Sequence, residues 1–485
     1  MRIKEISVNG LFGILDHVIP LNIEERITII HGLNGFGKTN ILKFIDGIFN
    51  SNYQVFKSIP FEKILIEFNN KSKLEIQKSL ILIGKDKFTV ILVKLIKIES
   101  EDLDSISLDS NKNDRFLLLS GLDMEQQDNK ILSLTKINEK EWTNEQTNQT
   151  YQFSFIDILS DELKKRFNNN QFNDSIFKDW EVFFEQAPLE PNLPIGEKLK
   201  LGFKNTFQEK SWFRDLKNDI KIRLVESQRL LNIRESNSPS IFPTVATYSN
   251  EIAELMQDKF SEYGKISQSL DRTFPLRAVQ QKGTGLTDEE LREELSKLEQ
   301  MRSRLIELGL LDQEENPDFP NQLQHIDKST RNILSVYVDD VKNKLSVFDK
   351  IASKIELLKT IINRKFAYSF KKLSFSKEQG FIFTNIYPNY PDEYPKTLSS
   401  QDLSSGEQHE LVLLYELLFK VEPGSLVLID EPELSLHVGW QSEFIEDLKA
   451  ITKLADIDIL MATHSPDIIQ EHWDDLTVEL KAPEK

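Results

Sequence analysis

The chain contains no cysteine. Disulfides, thiolate metal sites and cysteine nucleophiles are therefore all excluded, and this composition is typical of a reducing compartment, which predicts a cytoplasmic location. No apolar run approaches the roughly 20 residues that a membrane-spanning helix requires. Residues 1–10 alternate polar and apolar side chains and lack the apolar core of a signal peptide. We expect neither export nor a membrane partner.

Positive charge is also in deficit, because 60 Lys and Arg residues face 78 Asp and Glu residues, for a formal net charge of −18. A protein whose main task is to wrap a phosphate backbone carries the opposite sign. Contact with nucleic acid would need a local basic patch or be indirect. The length of 485 residues is ample for a large hydrophobic core and for one to three domains.

The most informative motif is a glycine-rich turn at residues 31–40, HGLNGFGKTN, between a predicted strand, Arg26–His31, and a predicted helix, Lys38–Phe49. Residues 32–39 match GxxxxGK[ST], the phosphate-binding loop, in the strand–turn–helix context that the pattern requires. Glycine torsions let consecutive N–H groups face phosphate oxygens at the helix N terminus. The predicted nucleotide-binding residues are Asn34, Gly35, Gly37, Lys38, Thr39 and Asn40. Lys38 is expected on the β and γ phosphates, and the Thr39 hydroxyl on Mg²⁺.

A nucleotide bound in this way is hydrolysed only if other groups position a metal ion and activate a water molecule. Residues 426–433, LVLIDEPE, form a predicted apolar strand that ends in an acidic pair. Asp430 is predicted to hold the magnesium shell, and Glu431 to accept a proton from the attacking water. A second apolar strand ends in LMATHSP, residues 460–466, where His464 is predicted to contact the γ-phosphate or that water. Glu431, His464 and Lys38 are thus the predicted catalytic residues.

A second anion-binding pattern lies near the C terminus at residues 403–408, LSSGEQ, which lead directly into a predicted helix. A Ser-Gly pair at a helix start offers N–H groups and a hydroxyl to an anion. Two such sites on one chain indicate that two chains share one ligand.

Between these ends, the periodicity predicts a series of further elements. Strands are expected at Arg2–Val8, Val18–Ile23, Lys63–Phe68, Leu74–Gln77, Phe88–Ile98, 220–225 and as a pair within 372–387. Residues 99–219 are interpreted as a variable insertion with some helix. Helices are expected at 287–311, which opens with a capping box, and at about 329–369. These two helices fit either a short antiparallel hairpin or an ordinary helical subdomain.

The phosphate loop, ESQ (226–228), LSSGEQ (403–408), LIDEPE (428–433) and THS (463–465) occur in the order found in the ABC-type ATPase head of SMC, RecF and related DNA-repair proteins, which this chain resembles. The resemblance implies an α/β P-loop NTPase whose split head contains an inserted helical hairpin. It also implies ATP and Mg²⁺ as ligands. Gln228 would then contact Mg²⁺, and Ser405, Gly406 and Glu407 would bind the nucleotide held by the opposing chain. His437 stands where the family often has aspartate.

The resemblance further implies a domain organisation. Lobe I of the head is expected at 1–98, the variable insertion at 99–219 and the segment carrying Gln228 at 220–240. The helical insertion is expected at 241–369, and lobe II at 370–485. Because only 21 residues follow His464, we expect any nuclease to be a separate protein.

With so short an insertion, the chain most resembles the stand-alone ATPases of bacterial anti-phage systems, with the Septu ATPase first and the PARIS ATPase or the OLD family as alternatives. The function implied is an ATPase whose head-to-head dimerisation, or higher oligomerisation, regulates a separate effector such as a nuclease. The alternative is a DNA-repair or DNA-end-binding ATPase of the RecF or SMC type. A nucleotide-binding scaffold without turnover is disfavoured because Glu431 is present.

Overall fold

The computed structural model describes residues 1–83, 86–96, 115–122, 134–138, 141–144, 150–152, 211–225, 231–234, 240–281, 287–312, 327–388 and 396–482. The strands are β1 Ile3–Leu11, β2 Leu15–Pro20, β3 Ile27–His31, β4 Lys63–Phe68, β5 Lys73–Ile83, β6 Asp86–Ile96, β7 Arg115–Leu122, β8 Leu134–Asn138, β9 Glu141–Asn144, β10 Thr150–Gln152, β11 Ile222–Val225, β12 Leu231–Arg234, β13 Ser240–Pro243, β14 Lys371–Ser376, β15 Gly380–Asn385, β16 Thr397–Leu398, β17 Leu426–Asp430, β18 Asp458–Ala462 and β19 Thr477–Glu479.

The helices are α1 Lys38–Phe49, α2 Gln54–Ser58, α3 Ser211–Asp219, α4 Thr244–Gln280, α5 Asp288–Glu307, α6 Lys328–Leu345, α7 Asp349–Phe366, α8 Ser405–Tyr415, α9 Val438–Gln441, α10 Phe444–Ala455 and α11 Pro466–Ile469. Short 3₁₀ turns occupy Ser346–Phe348, Ala367–Ser369, Ser400–Asp402 and Pro432–Ser435, and a π turn occupies Glu416–Lys420. Among the described residues, no helix combines the length and the apolar character needed to cross a membrane.

A parallel five-stranded sheet in the order β11-β17-β18-β3-β19 organises the molecule. Its strands come from three distant stretches of the chain, and N-terminal β3 lies between the C-terminal strands β18 and β19. Parallel strands place their carboxyl ends at one edge, where ligands bind in open α/β sheets. The fold is therefore the α/β P-loop class that the sequence predicted.

Two hydrophobic cores cover the two faces of this sheet. Along β17, Leu426 and Leu428 face one core, while Val427 and Ile429 face the other, as the period of two in a strand requires. The first core contains α1, α3 and the strands β1, β2 and β4–β6. The second contains helices α4–α8 and α10 with strands β14 and β15. Each core thus combines residues from both ends of the chain.

An antiparallel sheet in the order β2-β1-β4-β5-β6-β7 forms the outer layer next to α1. Strand β2 begins at Leu15, three residues before the predicted start. The turn after β1 explains the difference, because Phe12 and Gly13 have positive φ and reverse the chain at once. Within the predicted insertion 99–219, the described pieces are β7–β10 and α3. The amphipathic pieces at 153–167 and 179–186 lie outside the described residues.

The inserted region contains an antiparallel helical pair, but its members differ from the predicted ones. Ion pairs join Asp271 to Lys344 and Arg277 to Asp340, so α4 runs antiparallel to α6. Helix α5 runs parallel to α6 and α7, because Asp288 pairs with Arg331 and Arg304 with Glu356 further along. Of the two alternatives for 287–311 and 329–369, the short antiparallel hairpin is therefore wrong, and the ordinary helical subdomain remains. The 20 residues between Glu307 and Lys328 are enough chain to span up to about 66 Å, more than the length of about 30 Å of α5 that the chain has to return along.

The helix predicted over 329–369 is also interrupted. A 3₁₀ turn at Ser346–Phe348 separates α6 from α7. The apolar spacing continues through the turn, since Leu345, Phe348 and Ala352 are all buried. Because the buried face is preserved, periodicity alone did not reveal the break. The capping box of Thr287 and Glu290 is present as predicted.

A buried ionic cluster fastens the helices behind residues 403–408. The ammonium of Lys365, on α7, is fully buried and pairs with Glu410 on α8 and with Asp447 on α10, the latter at 2.8 Å. Burial lowers the pKa of Lys365, but the two carboxylates outweigh it and the net shift is upward. The cluster therefore holds a charged lysine where three helices meet.

We expect Lys365→Met to destabilise the fold by about 3–5 kcal/mol, because it leaves the buried carboxylate of Glu410 without its cation and leaves Asp447 with Arg364 alone. Chemical denaturation monitored by circular dichroism measures the effect. Lys297→Met is the control, since the exposed Lys297 pairs with Glu293 and Glu294 at the surface of α5 and its loss should change stability little. Equal stability of the Lys365→Met variant and the wild type would contradict a stabilising cluster.

Candidate functional site

The glycine-rich turn lies between β3 and α1, as predicted. Neighbouring atoms leave no room for a side chain at two of its glycines. Gly37 has φ 86°, and a Cβ there would lie 2.3 Å from Leu11 Cδ2. Gly32 has φ 149°, and its Cβ would lie 2.9 Å from the Leu480 carbonyl oxygen. A side chain at either position would require local movement. Gly35 also has positive φ, but a Cβ there would meet open space. Glycine is favoured at this position only because of the backbone conformation.

Lys38 occupies the centre of the site with 5% of its surface exposed. Its Nζ donates to the carbonyl oxygens of Gly32, at 2.8 Å, and Leu33, at 3.3 Å, and lies 3.4 Å from His464 Nδ1. Burial lowers the pKa of this lysine, and it outweighs the opposite effect of the negative charges of Glu431, Asp430 and Glu433. The structure therefore brings Lys38 and His464 together, although 426 positions separate them in the chain.

Asp430 and Thr39 meet beside the lysine. Thr39 Oγ1 donates to Asp430 Oδ1 at 3.1 Å. Burial raises the pKa of Asp430, and the neighbouring charge of Glu431 adds to the rise. A hydroxyl and a carboxylate oxygen in contact form the donor set that Mg²⁺ prefers, with phosphates and water completing its shell. These two residues fit the predicted metal ion, and its positive charge would offset the crowding of carboxylates.

Glu431 lies at the end of β17 with an unusual backbone. Its φ of 45° and ψ of 57° are left-handed, a conformation that costs a non-glycine residue energy. Its N–H donates to the Ala462 carbonyl of neighbouring β18 at 2.9 Å. The left-handed backbone turns the chain immediately after Asp430, at the end of β17. The different predicted roles of the two adjacent acids stay predictions.

Two residues that the sequence did not single out contact this site. Glu433 Oε1 accepts the backbone N–H of His464 at 2.6 Å. His17 Nε2 lies 3.0 Å from the carbonyl oxygen of Phe36 within the glycine-rich turn. Because a carbonyl only accepts, Nε2 of His17 carries the proton. A polar residue between the buried positions Leu15 and Ile19 of β2 was the available sequence signal.

Residues 403–408 form the start of α8. Ser404 caps the helix in a reciprocal capping box with Glu407, while Ser405 is exposed. The Glu407 carboxylate faces inward and accepts hydrogen bonds from Ser369 Oγ, at 2.6 Å, and Lys371 Nζ, at 2.8 Å. Burial works to raise the pKa of Glu407, but these donors outweigh it and lower the pKa.

Both the amide and the carboxylate of Glu407 are engaged within the chain, and its predicted contact with a nucleotide stays a prediction. Ser405 and the half-buried Gly406 remain as outward groups. Gln228 lies outside the described residues. The last described residue before it, Val225 at the end of β11, pairs with Ile429 at the same sheet edge. Its predicted role stays a prediction.

The other predicted residues have clear positions. Asn34 is exposed on the glycine-rich turn, and Asn40 is half-buried in the first turn of α1. His437 caps α9, with Nδ1 accepting the Gly439 N–H at 3.1 Å. The imidazole therefore supplies the acceptor that a helix start needs.

The chain matches a known protein family and is similar to a curated protein. Residues 1–469 match the family described as AAA ATPase domain. Endonuclease GajA from Bacillus cereus (strain HuB5-5) is 25% identical over 242 residues, which cover 46% of this chain and 34% of that protein. The chain thus matches about a third of the length of this curated relative.

Among solved structures, similar chains include an Smc head domain with an extended coiled coil bound to the C-terminal domain of ScpA, from Pyrococcus furiosus. It has 11% identity and a TM-score of 0.31, with 99% of this chain and 94% of that chain covered. The SMC head domain from Thermotoga maritima has 10% identity and a TM-score of 0.30, with the same coverage. These TM-scores are too low to support a functional conclusion.

The buried imidazole of His17 predicts a specific pH dependence of stability. Burial lowers its pKa from the ordinary value of 6.5, opposed by its hydrogen bond to Phe36 and by Asp16. Its contribution is therefore full above the unfolded pKa and is lost as the pH falls through the lower folded pKa. Between about pH 7.5 and 5.5, the free energy of unfolding of the wild type should fall by up to about 1.4 kcal/mol more per pH unit than that of His17→Gln. The glutamine side chain keeps a hydrogen-bond donor but does not titrate in this range.

Denaturation curves across this pH range test the prediction. Val18→Ala is the matched control, since Val18 occupies the opposite, exposed face of β2 and should follow the wild-type pH dependence. Parallel pH profiles for wild type and His17→Gln would contradict a neutral buried imidazole.

Proposed function

The chain belongs to the AAA ATPase domain family and is thereby an ATPase, and on that premise we propose that it binds Mg·ATP and hydrolyses it in a site shared by two copies. The observation that supports this most directly is the meeting of Lys38, Asp430, Glu431 and His464 at one sheet edge. These side chains lie at or after the carboxyl ends of three adjacent strands, β17, β18 and β3.

The proposed chemistry assigns one task to each residue. The N–H groups of the glycine-rich turn and Lys38 bind and orient the phosphates. Glu431 accepts the proton of the attacking water. His464 orients that water or the γ-phosphate. Mg²⁺ held by Thr39 and Asp430 would supply positive charge to the phosphate oxygens.

The second half of the proposed site is residues 403–408 of the opposing chain. Ser405 is exposed at a helix N terminus, where N–H groups and the helix dipole favour an anion. The contacts of Glu407 with Ser369 and Lys371 lie behind this segment, and its outer side would face the opposing chain. A two-fold head dimer then contains two equivalent sites.

We further propose that nucleotide-dependent closure of the heads regulates a nuclease effector in anti-phage defence. Support comes from the similarity to a protein named as an endonuclease, over 46% of this chain. The narrower resemblance to Septu, PARIS or OLD ATPases stays a prediction. Copurification with the products of neighbouring genes, followed by nuclease assays with and without ATP, tests the partnership.

A DNA-binding ATPase is the second candidate, because a cavity of about 550 Å³ is lined by Lys217, Lys221, Arg223 and Lys420. This is the kind of local basic patch that an acidic chain would need. However, Glu422 pairs with Lys221, and Glu251 pairs with Lys420, which reduces the net charge. We therefore favour the effector function.

Glu431→Gln should retain ATP binding and lower kcat by about 100-fold or more, since general base catalysis contributes roughly 10²–10⁴-fold. Release of phosphate and calorimetric ATP affinity provide the two measurements. Lys38→Ala is the comparison, because this variant should lose affinity for ATP, whereas Glu431→Gln should keep it. Undiminished phosphate release by Glu431→Gln would assign the base to another residue.

Mixing two inactive variants tests the shared site. Lys38→Ala removes the phosphate-loop half, and Ser405→Arg blocks the opposing half, so each alone should be inactive. A mixed dimer keeps one intact site, and random 1:1 mixing should restore about a quarter of wild-type turnover. No recovery, despite proven subunit exchange, would indicate that each chain hydrolyses ATP alone.

A further inference from the structure

The carboxylate of Glu433 joins the ends of two neighbouring strands of the central sheet. Glu433 lies in the 3₁₀ turn Pro432–Ser435 that follows β17. Its Oε1 accepts the N–H of His464, the second residue after β18, at 2.6 Å. This is a short hydrogen bond with a charged acceptor, which places it among the stronger hydrogen bonds in proteins. The strand that carries Asp430 and Glu431 is thereby fastened to the one that carries His464.

The position of the His464 imidazole depends on this hydrogen bond. The chain before it is fixed by Thr463, which is fully buried. The chain after it is fixed by Ser465, whose hydroxyl caps α11. Between them, His464 is exposed, and Glu433 holds its amide. The ring nitrogen that lies 3.4 Å from Lys38 Nζ is therefore placed by a backbone that Glu433 restrains.

Stability alone does not account for a glutamate at this position. The second oxygen, Oε2, is buried and has no hydrogen-bond partner among the described residues. An unsatisfied buried acceptor destabilises the fold, and it does so more strongly when it is charged. The carboxylate also adds negative charge beside Asp430 and Lys38. Costly polar groups of this kind are retained mainly where function requires them.

We propose that Glu433 is a positioning residue for ATP hydrolysis, which holds the His464 backbone so that the imidazole stays aligned with Lys38 and the phosphates. Glu433 itself touches neither the nucleotide nor the reacting water in this assignment. The inference rests on the proposed ATP-hydrolysing site but not on the shared dimer. The proposed role of Glu433 thus differs from those of Asp430 and Glu431, which are predicted to act on the metal ion and the water.

Two variants distinguish the hydrogen bond from the negative charge. Glu433→Gln retains an acceptor oxygen and removes the charge, whereas Glu433→Ala removes both. We expect Glu433→Ala to lower kcat about 10–100-fold, as is typical for residues that support a directly acting group, with KM for ATP changed less than about threefold. Glu433→Gln should restore kcat to within about threefold of wild type.

A spectroscopic readout is independent of activity. The chain has seven histidines, so labelling with ¹⁵N-histidine gives at most seven backbone amide signals, and His464→Ala identifies the signal of His464. We expect this amide proton to move upfield in Glu433→Ala and to stay near its wild-type position in Glu433→Gln. The spectra are recorded without nucleotide, so a failure of the dimer or of hydrolysis does not affect them.

The exposed Glu471 provides a matched control, and Glu471→Ala should change neither kcat nor the His464 signal. If Glu433→Ala does not fold, as judged by circular dichroism, Glu433→Asp supplies a shortened side chain for the same measurements. The effect of Glu433→Ala should also shrink at least threefold in a His464→Ala background, because the two residues act together. An unmoved His464 amide, a Glu433→Gln variant as slow as Glu433→Ala, or an undiminished effect without His464 would each overturn the proposal.

Discussion

Parallel pairing of strands from distant segments is the constraint on which this molecule depends. Strand β3 hydrogen-bonds to β18 on one side and to β19 on the other, so the N-terminal segment cannot form its sheet without the C-terminal one. The same pairing places Lys38 next to the carboxyl ends of β17 and β18. A fold whose two chain ends form one sheet tolerates long insertions, because loop closure costs only about 0.6 kcal/mol per doubling of loop length.

The site at that edge concentrates charge where water is partly excluded. One buried ammonium, Lys38, faces Asp430, Glu431 and Glu433, and burial shifts the pKa of the lysine downward and that of Asp430 upward. Such opposed shifts are typical of functional sites, since the charged groups are retained despite the cost of desolvation. Positive charge carried by a metal ion would relieve the crowding, whereas the phosphates would be bound by Lys38 and the amides of the loop.

The helices behind residues 403–408 connect this edge to the inserted region. Lys365 joins α7 to α8 and α10 within one core, and Glu407 ties the start of α8 to Ser369 and Lys371 beyond α7. A displacement of α7 would therefore move the start of α8. If that segment faces an opposing nucleotide, as proposed, the helical insertion has a direct mechanical connection to the shared site.

Local patterns in the sequence determined the main motifs and the strands and helix that carry them. The phosphate loop was evident because GxxxxGK[ST] between a strand and a helix has few other uses, and the ends of β17 and β18 were evident from apolar runs followed by polar residues. Only the tertiary structure decided the strand order, the direction of α5 beside α6, the inward orientation of Glu407 and the contacts of His17 and Glu433. Each of these features depends on contacts between residues that are distant in the chain. Local periodicity carries no information about such contacts.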